Sequence, residues 1–147
     1  RPARPDRQRH VGVMRLCLDT SAYSQFKRGD SQVVDLIDRA EWLGVPVVVL
    51  GELAVGFSQG TRRYENQSAL EEFLANPVVD VLAVDQDMAG IYADIMLDLK
   101  TAGTPLPAND IWIATVAVRH GATVLTYDQH FRSIARVGAT ILTAPNA

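Results

Sequence analysis

Leu16-Cys17-Leu18-Asp19-Thr20-Ser21 is an apolar run that stops on a carboxylate and passes straight into two hydroxyl residues. With Arg15 before it, the run reads as a first strand over Arg15 to Asp19, and Thr20 opens a short helix. The arrangement recurs along the chain. Glu52 in Val49-Leu50-Gly51-Glu52-Leu53, Asp110 in Pro107-Ala108-Asn109-Asp110-Ile111-Trp112 and Asp128 in Leu125-Thr126-Tyr127-Asp128 each stand at or just past a strand end, or in the first turn of a helix.

Outward from Asp19, the short helix opened by Thr20 stops at Gly29, and Ser31 caps a second helix. In that helix Val33, Val34, Leu36, Ile37, Ala40 and Leu43 repeat at helical spacing up to Gly44. The apolar run 45–49 predicts the second strand. Helical text resumes near Gly51, breaks around Gln59-Gly60-Thr61 and continues to Leu74, where Asn76-Pro77 stops it. Residues 78–84 predict a third strand, and Met88, Ile91, Tyr92, Ile95 and Leu99 mark an amphipathic helix closed by Gly103. The loop Thr104-Pro105-Leu106-Pro107 leads into a helix ending at His120-Gly121, and residues 122–126 and 140–142 supply two more strands. Strands alternating with helices predict an α/β fold, a mainly parallel central sheet with helices on both faces. In such a fold the strand ends meet along one edge, where ligand sites form.

A chain of 147 residues, 48% hydrophobic and 21% charged, is sized for a single domain. No apolar run approaches the roughly 20 residues of a membrane span. Cys17, the lone cysteine, excludes an intramolecular disulfide and suits a reducing cytoplasm, and its apolar strand predicts a buried, unreactive thiol. Residues 1–13 carry four Arg against Asp6, leaving −6 on the rest of a chain whose net charge is −3. They read as a basic, disordered leader before a domain spanning 14–147, or as an extension upstream of a start at Met14.

Singly, each acid has a bland account. Asp19 suits an N-cap, Asp128 a cap for the Gln129-His130-Phe131 turn, and Asp110 the N-terminal dipole of its helix. Glu52, on an otherwise apolar helix start, is the hardest to dismiss. Gathered at one sheet edge the acids would strain each other, since two unit charges about 6 Å apart repel by roughly 3 kcal/mol at an effective dielectric near 20. A divalent cation would relieve that repulsion. Hard oxygen donors with no Cys or His cluster beside them favour Mg²⁺ or Mn²⁺.

The segments Leu18-Asp19-Thr20-Ser21-Ala22, Leu50-Gly51-Glu52-Leu53, Ala108-Asn109-Asp110-Ile111-Trp112-Ile113-Ala114 and Thr126-Tyr127-Asp128-Gln129-His130-Phe131 also resemble, in order and spacing, the motifs of PIN-domain ribonucleases. The resemblance is specifically to the VapC toxins of bacterial toxin–antitoxin pairs, and it runs from Met14 to about Leu142. It implies a single PIN-like domain in which Asp19, Glu52, Asp110 and Asp128 take the places of the metal-binding acids. Ser21 and Thr126 match hydroxyls that support them, and Asn109 adjoins. The resemblance further implies a homodimer and a small VapB-like antitoxin as inhibitor.

The expected chemistry is metal-assisted hydrolysis of RNA phosphodiester bonds. Asp19 and Asp110 are expected to hold the first ion and Asp128 a second, with Glu52 orienting or deprotonating the water. Because the attack does not use the 2′-hydroxyl, products should end in 5′-phosphate and 3′-hydroxyl. Of the histidines, His10 lies in the leader, His120 at a helix end and His130 in a turn, which gives little support to a His-based ribonuclease. Lys27, Arg28, Arg62, Arg63, Lys100 and Arg132 are candidates for steering RNA, each also readable as a solvated surface cation. Tyr23 and Phe26 suit base stacking or core packing.

Two other classes fit parts of this pattern. A signalling receiver needs a Lys on a late strand, but the two lysines, Lys27 and Lys100, lie in helical text; a phosphatase-like fold needs a second Asp where Ser21 stands. A non-catalytic, metal-dependent binding module shares the acids and differs only in activity.

Overall fold

The computed structural model describes residues 14–143, so both readings of residues 1–13 as a leader lie outside it. Five strands, β1 (Arg15–Leu18), β2 (Trp42–Pro46), β3 (Val79–Leu82), β4 (Thr123–Thr126) and β5 (Ala139–Ile141), form one sheet in the order β3-β2-β1-β4-β5. Every pairing is parallel, which goes one step beyond the mainly parallel sheet expected. Six helices connect them: α1 (Thr20–Lys27), α2 (Ser31–Arg39), α3 (Val47–Gln59), α4 (Arg63–Leu74), α5 (Met88–Ala102) and α6 (Ala108–Arg119). All of β2, and all but the first residue of β1 and β4, are buried, because helices cover both faces.

From β1 the chain steps outward through β2 to β3, then returns to β4 on the other side of β1. The switch in winding direction therefore falls between β1 and β4, and the crevice outside their C-terminal ends is where such sheets hold ligands. Asp19 follows β1, and Thr126 ends β4.

The second strand differs from expectation. Trp42, Leu43 and Gly44, read as the end of a helix, are its first residues, whereas Val47 to Val49 open α3. Pro46 supplies the physical reason: lacking an N–H it closes the strand, and with φ of −59° it precedes the helix as its N-cap residue. Gly44 has no room for a side chain, since a Cβ there would stand 2.6 Å from both Leu82 Cδ1 and Trp42 Cη2. Ser31 is the first residue of α2 rather than its cap, which is Asp30. The turns at Gly29 and Gly103 are as expected, with φ of 82° and 70° that favour glycine.

Leu18, Leu43, Ile95, Ile113, Leu125 and Phe131 are among the largest fully buried side chains. Cys17 is fully buried with them, and burial pushes its thiol pKa up, as its strand position predicts. Tyr23 also lies in the core, its ring edge-on to Phe73, with Phe26 packed against both; this resolves that pair towards packing.

At the opposite, N-terminal edge of the sheet, the Arg15 guanidinium lies 4.2 Å from the centre of the Trp42 ring. Arg15 Nη2 donates to the carbonyl of His120 at 2.9 Å, and Trp42 Nε1 donates to Asp80 Oδ2 at 2.8 Å. Among the described residues no helix is long and apolar enough to cross a membrane.

Candidate active site

Asp19 is the anchor of the site. Only 5% exposed, it receives hydrogen bonds from the Thr20 backbone N–H (2.7 Å), the Ser21 hydroxyl (2.9 Å) and the Thr126 hydroxyl (2.7 Å). The capping account of Asp19 is thus true as far as it goes, for its Oδ1 does cap α1. Capping does not explain why two more donors, one from 107 residues away, converge on Oδ2. Thr126 is fully buried, and its oxygen also accepts from the Asp128 N–H at 2.9 Å. Ser21 accepts from the Tyr127 N–H at 3.0 Å. Both supporting hydroxyls therefore tie β1 to the segment after β4.

Glu52, on α3, is held from the side. The Thr20 hydroxyl donates to its Oε1 at 2.7 Å, a bond that sequence reading missed because its partners are 32 residues apart. The Asp-Thr-Ser run hinted at Thr20 only as a capping residue. Asp128 caps the 3₁₀ turn Gln129–Ser133 through the His130 N–H and lies 2.9 Å from His130 Nδ1, so His130 is a turn residue as expected.

Asp110, in the first turn of α6, has no side-chain hydrogen bond among the described residues. Burial, followed by the charges of Asp19, Asp128 and Glu52, pushes its pKa up to about 6, with His130 opposing. For Asp19 too, burial raises the pKa; its three hydrogen bonds pull the other way and Glu52 adds to the rise. The four carboxylates thus form one electrostatic unit. Asn109 is exposed beside Asp110 and, with Glu52, Val48, Gly51 and Val55, lines an open cleft of about 550 Å³.

Among the described residues no three Asp, Glu, His or Cys side chains converge into a ready-made metal shell. The donor chemistry nevertheless fits magnesium or manganese. Mg²⁺ is ordinarily held by one or two carboxylates, with water and phosphate completing its octahedron. The crowding that raises the pKa of Asp110 and Asp19 is also what a cation would relieve.

The candidate cations are dispersed. Lys27 and Arg28 end α1 and line a pocket against α3 and α4. Arg62 is paired with Glu65, and Arg63 lies 6.0 Å from the Tyr64 ring. Lys100 sits in the last turn of α5 and Arg132 in the 3₁₀ turn, both exposed.

An all-parallel sheet with acids at its switch point defines the class of α/β proteins that hold ligands at their strand ends. Residues 16–137 match the PIN domain family, and the chain belongs to that family. It is 33% identical to ribonuclease VapC4 of Mycobacterium tuberculosis over 94 residues, 64% of this chain and 72% of that one. It is 35% identical to the VapC ribonuclease Y4jK of Sinorhizobium fredii over 121 residues, 77% and 86% of the two chains. Its fold matches the crystal structure of VapBC-5 from Mycobacterium tuberculosis, a member of the VapBC toxin–antitoxin family, with a TM-score of 0.67 at 28% identity, covering 87% of this chain and 97% of that one.

Proposed function

We propose that this chain is a Mg²⁺- or Mn²⁺-dependent endoribonuclease, the toxin of a toxin–antitoxin pair, that hydrolyses RNA to 5′-phosphate and 3′-hydroxyl ends. The observation that carries this reading is the placement of Asp19, Glu52, Asp110 and Asp128 about the switch point, where burial and then the charges of Asp19, Asp128 and Glu52 raise the cost of ionising Asp110. Relatives named ribonucleases support the activity, and a matching fold solved as a VapBC complex supports a VapB-like antitoxin as partner. The same reading includes a homodimer acting in the cytoplasm, where RNA is its substrate.

Asp19 and Asp110 would hold the cation, and Asp128 would serve a second. When bound, such a cation supplies Lewis-acid activation of water and charge neutralisation at the phosphate. The residues contribute position and proton handling. Three donors fix the Asp19 carboxylate in one orientation, so it cannot swing away when the site is empty of substrate. Thr20 holds Glu52 by Oε1, leaving Oε2 to orient the attacking water and accept its proton. The bond that breaks is the one between phosphorus and the 3′ oxygen, and the proton taken by Glu52 can pass to the departing oxygen.

The test is cleavage of labelled total RNA and a tRNA panel with Mg²⁺, with Mn²⁺ and with EDTA, mapping product ends. Asp110→Asn serves beside Asp19→Asn because the Asp110 side chain makes no hydrogen bond among the described residues whose loss could unfold the protein. Metal-dependent cuts ending in 5′-phosphate, absent in both variants, are expected. A folded, metal-binding protein that cuts no RNA would replace this reading with a metal-dependent binding module.

A further inference from the structure

We propose that the pocket between α1, α3 and α4 is a subsite for one nucleotide flanking the cleaved phosphodiester, with Asn66 reading its base and Lys27 and Arg28 holding its phosphate. This rests on the ribonuclease reading above.

Position is the first argument. The pocket, about 220 Å³, is walled by Tyr23, Leu53 and Phe57, with Lys27, Arg28 and Asn66 also lining it. Its walls belong to the two helices, α1 and α3, that the Thr20–Glu52 hydrogen bond ties together. Leu53 is the next residue after Glu52, and Tyr23 lies one turn beyond Thr20. At 1.5 Å of rise per residue, Lys27 stands about 10 Å along α1 from Thr20. A strand whose phosphate reacts at the acids can therefore set a neighbouring nucleotide here.

Charge is the second. Arg39, Arg62, Arg119 and Arg136 each lie against a carboxylate. Lys27 and Arg28 are exposed and have no such partner among the described residues, although the chain is acidic overall. Two unopposed cations beside an acid cluster suit a ligand whose phosphates repeat along its length.

Unmet polar groups are the third. Asn66 is exposed on α4, and its side-chain amide, with no hydrogen-bond partner among the described residues, is free to meet a ligand. Tyr23 is 3% exposed, and its hydroxyl is buried without a partner. Phe26 and Phe73 pack against its ring, so the hydroxyl cannot readily turn to solvent. Buried polar groups are ordinarily paired, and Tyr23, a residue of the pocket wall, carries one that is not. The space is smaller than the roughly 300 Å³ at which drug-sized ligand sites begin, which suits a single ring system. An unpaired base, splayed from its neighbours and bonded at its edge, is how sequence is read in single-stranded RNA.

The experiment is cleavage of a randomised RNA library by wild type, Asn66→Ala, Tyr23→Phe and the double variant Lys27→Glu/Arg28→Glu, sequencing the product ends. Asn66→Ala is expected to flatten the preference at one position flanking the cut by about tenfold. Tyr23→Phe, which keeps the ring packing, should alter preference at the same position. The double charge reversal should lower kcat/KM on all sequences alike and reduce its dependence on salt. If wild type cuts no RNA, the ribonuclease reading fails and the subsite with it. If wild type cuts RNA and all three variants share its preference, its kcat/KM and its salt dependence, the subsite alone is overturned. Unchanged cleavage together with wild-type binding of a Glu-rich peptide, lost in the double variant, would assign the pocket to a protein partner and likewise overturn it.

Discussion

The two edges of this sheet both carry charge, and they treat it in opposite ways. At the N-terminal edge, Arg15 lies on the face of Trp42, bonds the carbonyl of His120 and shares Trp42 with the carboxylate of Asp80. Opposite signs and a π face meet there, although Arg15 Nε stays buried without a hydrogen bond among the described residues. At the C-terminal edge like charges face one another instead: burial and then the charges of Asp19, Asp128 and Glu52 raise the pKa of Asp110, whose side chain has no hydrogen bond among the described residues. Charge at a strand end is therefore no mark of function; like charge gathered without a counter-charge is what a ligand would have to offset.

The sharpest way to break the comparison is to disarm each edge separately. Glu52→Gln should lower RNA cleavage by about 10²–10⁴-fold, the usual contribution of general acid–base groups, with the unfolding midpoint nearly unchanged. Trp42→Ala should do the reverse: about 3–5 kcal/mol of stability lost in denaturant titration, as for other buried aromatics, with cleavage per folded molecule retained. Should Trp42→Ala abolish cleavage in the folded protein, the separation of the edges would fail.

Thr126→Val probes where the two behaviours meet. It removes a donor to Asp19 and an acceptor for the Asp128 N–H at nearly constant volume. A loss of about 1–3 kcal/mol in stability is expected, with a 10–100-fold drop in activity as Asp19 loses its orientation.

A smaller effect should appear with pH. Asp110 rises from the usual 3.8 to about 6 in the folded protein, so it takes up protons more readily folded than unfolded. Its contribution to stability is therefore fully present below about 3.8 and is lost as pH rises through 6. Asp19 is shifted in the same direction. Thermal melts in EDTA should show this decline between pH 4 and 7, and Asp110→Asn should flatten it. Added Mn²⁺ should oppose the decline, because binding displaces the proton. At the bottom of the scale, Arg39→Ala removes an exposed i,i+4 pair with Asp35 and should change stability by no more than about 0.5 kcal/mol.

Legibility in the sequence followed the range of the interactions. The Asp19 strand end and the turns at Gly29 and Gly103 depend on local rules, so they could be read directly. The 45–49 run misled because an unbroken apolar stretch suits a buried strand and a buried helix start equally, and Pro46 divides it between the two. Asp19, Asp110 and Asp128 could be picked out because each stands at a strand end or a helix start, whereas Glu52 falls inside α3. What holds the acids was not legible: Thr20 on Glu52 and Thr126 on Asp19 are contacts across 32 and 107 residues, and no periodicity encodes a pairing that the sheet order creates. Asn66 went unremarked for a similar reason, since a polar residue on an exposed helix acquires meaning only from the pocket beside it.

The hydrogen bond from Thr126 to Asp19 also has a consequence in time. Contacts between segments so far apart form late, after the intervening chain has paid its loop-closure entropy, and parallel sheets are slow for this reason. During synthesis β1 leaves the ribosome long before β4 exists. A growing chain thus cannot hold Asp19 as the folded protein does until residue 126 arrives and docks. The nascent polypeptide is harmless for most of its elongation, and its capacity to cut appears only when translation of this segment is nearly done.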